Sequence, residues 1–203
     1  MMQLLSNGVS DPVACLHGLG GTARTSQILA AGVHPRDLYL ARDDGRLVEV
    51  TRGVFRLADL PLTEPDLLAV ATRMPRAVLC VVTALHLHAL TEEIPRAVHV
   101  ALPRGTHPAR LAHPPLEVYH FSPASLAVGV EARVIDDVPV RLTTPAKSVA
   151  DAFKFRSRVG EDVARDALRE VLRRRLATPA EVDAMARICR VQALVRPFLE
   201  AWS

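Results

Sequence analysis

The sequence predicts an α+β fold, with an N-terminal winged helix-turn-helix over residues 1–62 and a C-terminal domain over residues 63–203 that holds a small mixed sheet and a helical bundle. Three observations predict it. Three short helical segments run into two β-forming stretches hinged on Gly53, the element order of a winged helix. A proline-bearing seam, Leu60-Pro61-Leu62-Thr63-Glu64-Pro65, then interrupts the pattern. Beyond it, short strand patterns give way to helical periodicity, the segregation expected of an α+β unit. Since 49% of residues are apolar but only 4% aromatic, the core must be built from Leu, Val and Ala, which favours helices with modest sheet.

Asp11 reads as the N-cap of a first helix ending at Gly18, with Pro12 in its first turn. A second helix starts at Thr22 or Thr25 and stops at Gly32, which can take the positive φ of a sharp elbow, with Val33 as the apolar anchor of the turn. His34-Pro35 opens a third helix, closed by Gly45. Residues 47–57 read as two strands turning at Arg52-Gly53, because Val48, Val50, Val54 and Phe55 are strand formers flanking a glycine. The same spacing also fits an ordinary helical hairpin beside a β-ribbon. After the seam, helix is expected over 66–73, a buried strand over 77–81, and a helix N-capped by Thr83 and reaching Leu90. Strands are expected over 97–102, 116–121, 132–135 and 138–142, separated by Pro, Gly and Asp-Asp turns. Helices are then expected over 145–155, 161–176 and 179–189, the last with Thr178 as N-cap, and in a final segment ending near Trp202.

A net charge of +3 permits nucleic-acid binding without demanding it, and the first 62 residues carry six arginines against six carboxylates. Cys15, Cys80 and Cys189 are odd in number and far apart, so they read as buried thiols of a reducing compartment rather than as disulfides or a zinc site. Met1 to Ser6 lacks a basic leader region, and every apolar run falls short of the roughly 18 residues of a spanning helix. A soluble cytoplasmic protein with no membrane contact is expected.

Four stretches in consistent order carry a resemblance: Leu29-Ala30-Ala31-Gly32-Val33; the ribbon from Leu47 to Arg56; Val98-His99-Val100-Ala101-Leu102-Pro103-Arg104-Gly105; and Leu142-Thr143-Thr144-Pro145-Ala146-Lys147-Ser148-Val149-Ala150-Asp151. Together they resemble the AbiEi-type antitoxins, from about Asp11 to about Leu176. The resemblance implies a winged helix that binds repeats in the promoter of its own operon, and a C-terminal domain that neutralises a cognate toxin of nucleotidyltransferase fold. The third helix and wing of that family are strongly basic, whereas Asp37, Asp43, Asp44 and Glu49 sit among the arginines here.

If the third helix enters the major groove, Arg36, Tyr39 and Arg42, at three-residue steps, share one side, with Leu38 and Ala41 left for packing. Arg36 and Tyr39 are then candidates for base or sugar contact, Arg46 and Arg52 for the phosphate backbone, and Thr22 or Thr25 for a phosphate at the start of the second helix. All of these residues also fit as solvated side chains on a neutral surface. In the helix over 161–176 an apolar stripe of Ala164, Ala167, Leu168, Val171 and Leu172 is flanked by arginines. Arg165, Arg169 and Arg173 are candidates for an acidic or nucleotide-binding surface of the toxin, against the plainer reading of helix solubility through i,i+4 pairs. Lys147 and Asp151 read as a surface ion pair.

No enzyme motif is visible. Gly18-Leu19-Gly20-Gly21 lacks the Lys-Ser/Thr of a phosphate loop, there is no GxSxG or HExxH, and Asp136-Asp137 reads as a strand turn. His86 and His88, two apart on a helix, point about 200° apart and do not share an ion readily. No metal and no cofactor are expected. The competing functions are a free-standing transcription factor whose C-terminal domain senses a ligand or dimerises, and a nuclease with a scattered site.

Overall fold

A computed structural model of the chain describes residues 11–201. The stretch Met1 to Ser6 and the expected helix end near Trp202 lie outside the described residues.

The first module runs α1 (Pro12–Gly18), β1 (Thr22–Arg24), α2 (Thr25–Ala30), α3 (Pro35–Asp43), β2 (Leu47–Thr51), β3 (Val54–Leu57), with an antiparallel sheet in the order β1-β3-β2. Asp11 caps α1 as expected, its carboxylate accepting from the Ala14 N–H at 3.1 Å. The elbow between α2 and α3 rests on Gly32 at φ 93°, and the ribbon tip on Gly53 at φ 75°, both conformations that favour glycine. Leu16, Ile28, Val33, Leu38, Leu47, Phe55 and Leu57 close a core beneath the helices. One expectation is corrected. Thr22 lies in β1, not at a helix start, because Thr22 to Arg24 pair with Arg56 to Val54. A three-residue strand is too short to show a period in sequence.

The second part continues with α4 (Pro65–Arg73), β4 (Val78–Leu79), α5 (Val81–Leu87), β5 (Val98–Pro103), β6 (Leu116–Phe121), α6 (Pro123–Ala127), β7 (Val130–Ile135) and β8 (Val138–Thr143). These strands form a mixed sheet in the order β6-β5-β4-β8-β7, parallel at β5/β6 and β4/β8 and antiparallel at β4/β5 and β7/β8. Leu67 and Val70 of α4, with Met74 just after it, cover one face, against Leu79, Val100 and Leu142; Tyr119 and Phe121 pack the other with Phe155. The bundle follows as α7 (Pro145–Lys154), α8 (Arg156–Val159), α9 (Glu161–Arg173), α10 (Pro179–Cys189) and α11 (Gln192–Glu200). Thr178 caps α10 reciprocally with Glu181.

Three further expectations change. Thr83 does not cap α5, which starts two residues earlier; its buried hydroxyl accepts the His99 N–H at 2.9 Å and ties α5 to β5. Helix α6 was not anticipated, although Ser122-Pro123 carries a start signal and the Ser122 hydroxyl accepts from Ser125. Cys80 and Cys189 are buried thiols, but Cys15 is partly exposed.

The largest correction concerns Lys147 and Asp151. Both side chains are 0% exposed, with Lys147 Nζ 2.7 Å from each Asp151 oxygen. The Cys189 thiol donates to the same carboxylate at 3.2 Å, and the ammonium lies 4.5 Å from the Phe121 ring centroid. Helix α7 is packed by α5, α9 and α10, so a helix spacing typical of the surface ends up inside.

Between the two sheets sits Arg56, 1% exposed. Its guanidinium donates to the Pro61 carbonyl, the Thr22 hydroxyl and the Asp136 carbonyl at 2.6 to 3.0 Å, and lies 3.6 Å from the Asp137 carboxylate. Asp136 and Asp137, at φ 47° and 63°, form the two-residue turn between β7 and β8 that the sequence predicts. The Asp136 carboxylate accepts from the Thr63 N–H and hydroxyl and from the Glu64 N–H. The turn thereby clamps the seam from one side and Arg56 from the other.

Candidate nucleic-acid interface

Helix α3 buries Leu38 and Ala41 completely, which turns Arg36, Tyr39 and Arg42 away from the core. Arg36 is exposed in the first turn, and its side chain makes no ion pair among the described residues. Tyr39 is 40% exposed; its ring meets Phe55 edge-on at 5.9 Å, and the Arg42 guanidinium lies 5.0 Å from its centroid. Arg42 pairs with Asp43 at 2.7 Å and Glu49 at 3.2 Å. Its donors are spent on bracing the helix, so it orients Tyr39 more than it offers a free cation.

Glu49 links the helix to the wing. One of its oxygens takes Arg42 and the other accepts the Gly53 N–H at 2.9 Å. A β-bulge between Glu49 and Thr51 turns the tip, and the Gly53 carbonyl accepts the Thr25 N–H at 3.0 Å. Thr25, Tyr39, Arg42 and the exposed Arg52 therefore lie on one continuous run of contacts. Arg46 sits at the other end of the ribbon between Asp11 at 3.4 Å and Asp44 at 3.7 Å. Thr22 is removed from the face: it is buried, and its hydroxyl is taken by Arg56 at 2.6 Å. Sequence reasoning missed Glu49 as a brace, treating it as a stray acid; its place in β2 just before the Arg52-Gly53 tip was the available signal.

Several histidines have local partners, whereas the buried Nδ1 of His86 has none among the described residues. Arg133 can only donate, so His88 Nδ1 accepts from it at 3.2 Å and Nε2 donates to the Thr143 carbonyl at 2.7 Å. Burial, with a smaller push from Arg133, holds this imidazole below its ordinary pKa. His99 meets the Tyr119 hydroxyl, His113 meets Asp66, and His120 meets the Thr106 carbonyl. Among the described residues no three potential ligands gather.

On α9, each candidate arginine is paired along its own helix: Arg165 with Glu161, Arg169 with Asp166 at 2.9 Å, and Arg173 with Glu170 at 2.6 Å. Arg165 also stacks on Phe198. The face is of mixed charge, and with Glu92 and Glu93 it lines a cleft of about 710 Å³.

A three-helix head with a braced two-residue wing is a specific arrangement, and residues 12–58 match the family model described as the AbiEi antitoxin transcriptional regulator. This stretch is similar to the AbiEi regulators. The match begins at the first residue of α1 and ends just past β3, so the matched stretch coincides with the head and its wing. Beyond the matched stretch, the whole fold is similar to the crystal structure of the RV2827C protein from Mycobacterium tuberculosis, with a TM-score of 0.55 and 13% identity over 95% of this chain and 80% of that chain. At that identity the likeness concerns the fold. No curated protein matches the chain. No helix among the described residues is long and apolar enough to cross a membrane.

Proposed function

We propose that the chain is a cytoplasmic antitoxin that represses its own operon by binding promoter repeats as duplex DNA and that neutralises a cognate toxin of nucleotidyltransferase fold. Residues 1–62 serve the DNA and residues 63–203 the toxin. The observation that carries the reading is the AbiEi-like stretch with an outward α3 face, on which Arg36 and Tyr39 stand exposed beside a wing whose Arg52 is unpaired among the described residues.

Arg36 lies where a recognition helix presents base-reading side chains. Arg36→Ala is expected to weaken promoter binding by about 1–3 kcal/mol while leaving random duplex nearly unaffected; Arg52→Ala is expected to weaken both alike. Fluorescence anisotropy on the two duplexes distinguishes them, and equal losses for both variants on both duplexes would reject the division of roles.

The α9 cleft with its exposed Arg169 and Arg173 is the proposed toxin surface, together with Arg165. Co-expression with the neighbouring toxin gene is expected to restore growth, and Arg169→Glu/Arg173→Glu is expected to abolish the rescue by placing like charges beside Asp166 and Glu170. Rescue that survives the double reversal would take the toxin contact off α9.

A further inference from the structure

The wing tip does not stand free. Thr51 donates from its hydroxyl to the His113 carbonyl at 3.0 Å, which docks the tip on the loop between β5 and β6. At this junction Arg52 of the wing, Arg73 at the end of α4 and Arg110 of that loop line one cleft of about 470 Å³ with Thr51, Gly53 and Leu111. A Cβ at Gly53 would lie 4.0 Å from the Arg73 guanidinium and 3.5 Å from the Thr25 hydroxyl, which places Arg73 against the tip itself.

Three arginine side chains from three separate elements line this cleft. None of them makes a hydrogen bond or ion pair among the described residues, whereas Arg42, Arg46, Arg165, Arg169 and Arg173 are all matched with carboxylates. The acids nearby are already engaged: Asp66 by His113 at 3.1 Å, and Glu49 by Arg42 and the Gly53 N–H. Unpaired like charges gathered in a concave site repel one another, a cost offset when an anion enters. The cleft is also continuous with the α3 face, through Tyr39, Arg42, Glu49 and Gly53.

We propose that Arg52, Arg73 and Arg110 form a composite phosphate clamp for the backbone of duplex DNA, so that the DNA footprint crosses the seam onto residues of the second domain. The proposal rests on the DNA-binding reading above and adds to it the two arginines outside the AbiEi-like stretch. It also accounts for how a head with no net charge holds DNA: the missing cations come from the neighbouring domain. Phosphate contact is sequence-independent and releases counterions, with a salt slope of about −0.9 per phosphate neutralised.

The test uses the full chain with Arg73→Gln/Arg110→Gln and, as a charge-keeping control, Arg73→Lys/Arg110→Lys, titrated with a promoter duplex and a random duplex over a series of salt concentrations. The Gln pair is expected to lose about tenfold in affinity on both duplexes at physiological salt, with a log–log salt slope shallower by about two, and the Lys pair is expected to keep most of both. Because neither arginine has a protein partner among the described residues, thermal unfolding of both variants should match the parent chain. Unchanged affinity and slope in the Gln pair would overturn the clamp while leaving the Arg36 reading standing. A loss confined to the promoter duplex with an unchanged slope, or an equal loss in the Lys pair, would likewise overturn it. Failure of the parent chain to bind either duplex would overturn both readings.

Discussion

Asp151→Ala is expected to destabilise the protein by about 3–5 kcal/mol, because it leaves the fully buried Lys147 ammonium without its carboxylate. The attraction between the two charges offsets their desolvation only while both are present. Burial pushes the Asp151 carboxyl above its ordinary value, and Lys147 pulls it back, then Cys189. The cross-check is a pair of apolar replacements: Lys147→Met/Asp151→Leu should recover most of the loss, since similar volume without charge satisfies the site nearly as well. Urea unfolding of the single and double variants measures both. A cost below about 1 kcal/mol for Asp151→Ala would mean that the pair is solvated like a surface bridge.

Arg56→Met is expected to cost about 3 kcal/mol, the scale of charge-assisted hydrogen bonds lost with their buried acceptors left bare. Unlike the first substitution, this one acts on the relation between the two sheets. Arg56 holds the Pro61 carbonyl, the β1 hydroxyl of Thr22 and the β7–β8 turn together, so limited proteolysis of the variant should cut within 60–64, where the parent resists. The same clamp depends on acid through Asp136. Burial raises its carboxyl, but the Glu64 and Thr63 hydrogen bonds together outweigh that, and the net pKa lies below the ordinary 3.8. A depressed folded pKa means a contribution fully present above the unfolded value and lost as pH falls through the folded one. Asp136→Asn should therefore lower the urea midpoint at pH 7, and the gap to the parent chain should close below about pH 4. A gap independent of pH would assign the effect to shape rather than charge.

Helix boundaries set by capping chemistry were legible. Asp11, Pro12, Thr178 and Glu181 satisfy orphan backbone groups within their own turn, so a local reading suffices. The ribbon tip was legible for the same reason, as Gly53 supplies a conformation few other residues tolerate. Strand β1 was not, because three residues become a strand only through pairing with β3, some thirty positions away. Of the candidate DNA face, Arg36, Tyr39 and Arg42 were recoverable from helical spacing, yet nothing along the chain says that Glu49 occupies Arg42 or that Arg56 takes the Thr22 hydroxyl. Arg73 and Arg110 escaped notice altogether: one reads as a helix end and the other as a loop cation until the fold sets both on the cleft at the wing tip.

By itself the sequence determined the order of elements and the turns, since propensity, capping and glycine geometry act within a few residues of chain. Burial and charge pairing were decided only by tertiary structure, because solvent exclusion is a property of neighbours distant in sequence. That is why Lys147 and Asp151, spaced as a surface bridge, form the most deeply buried ion pair described, and why an arginine inside a strand, Arg56, became the bolt between two sheets.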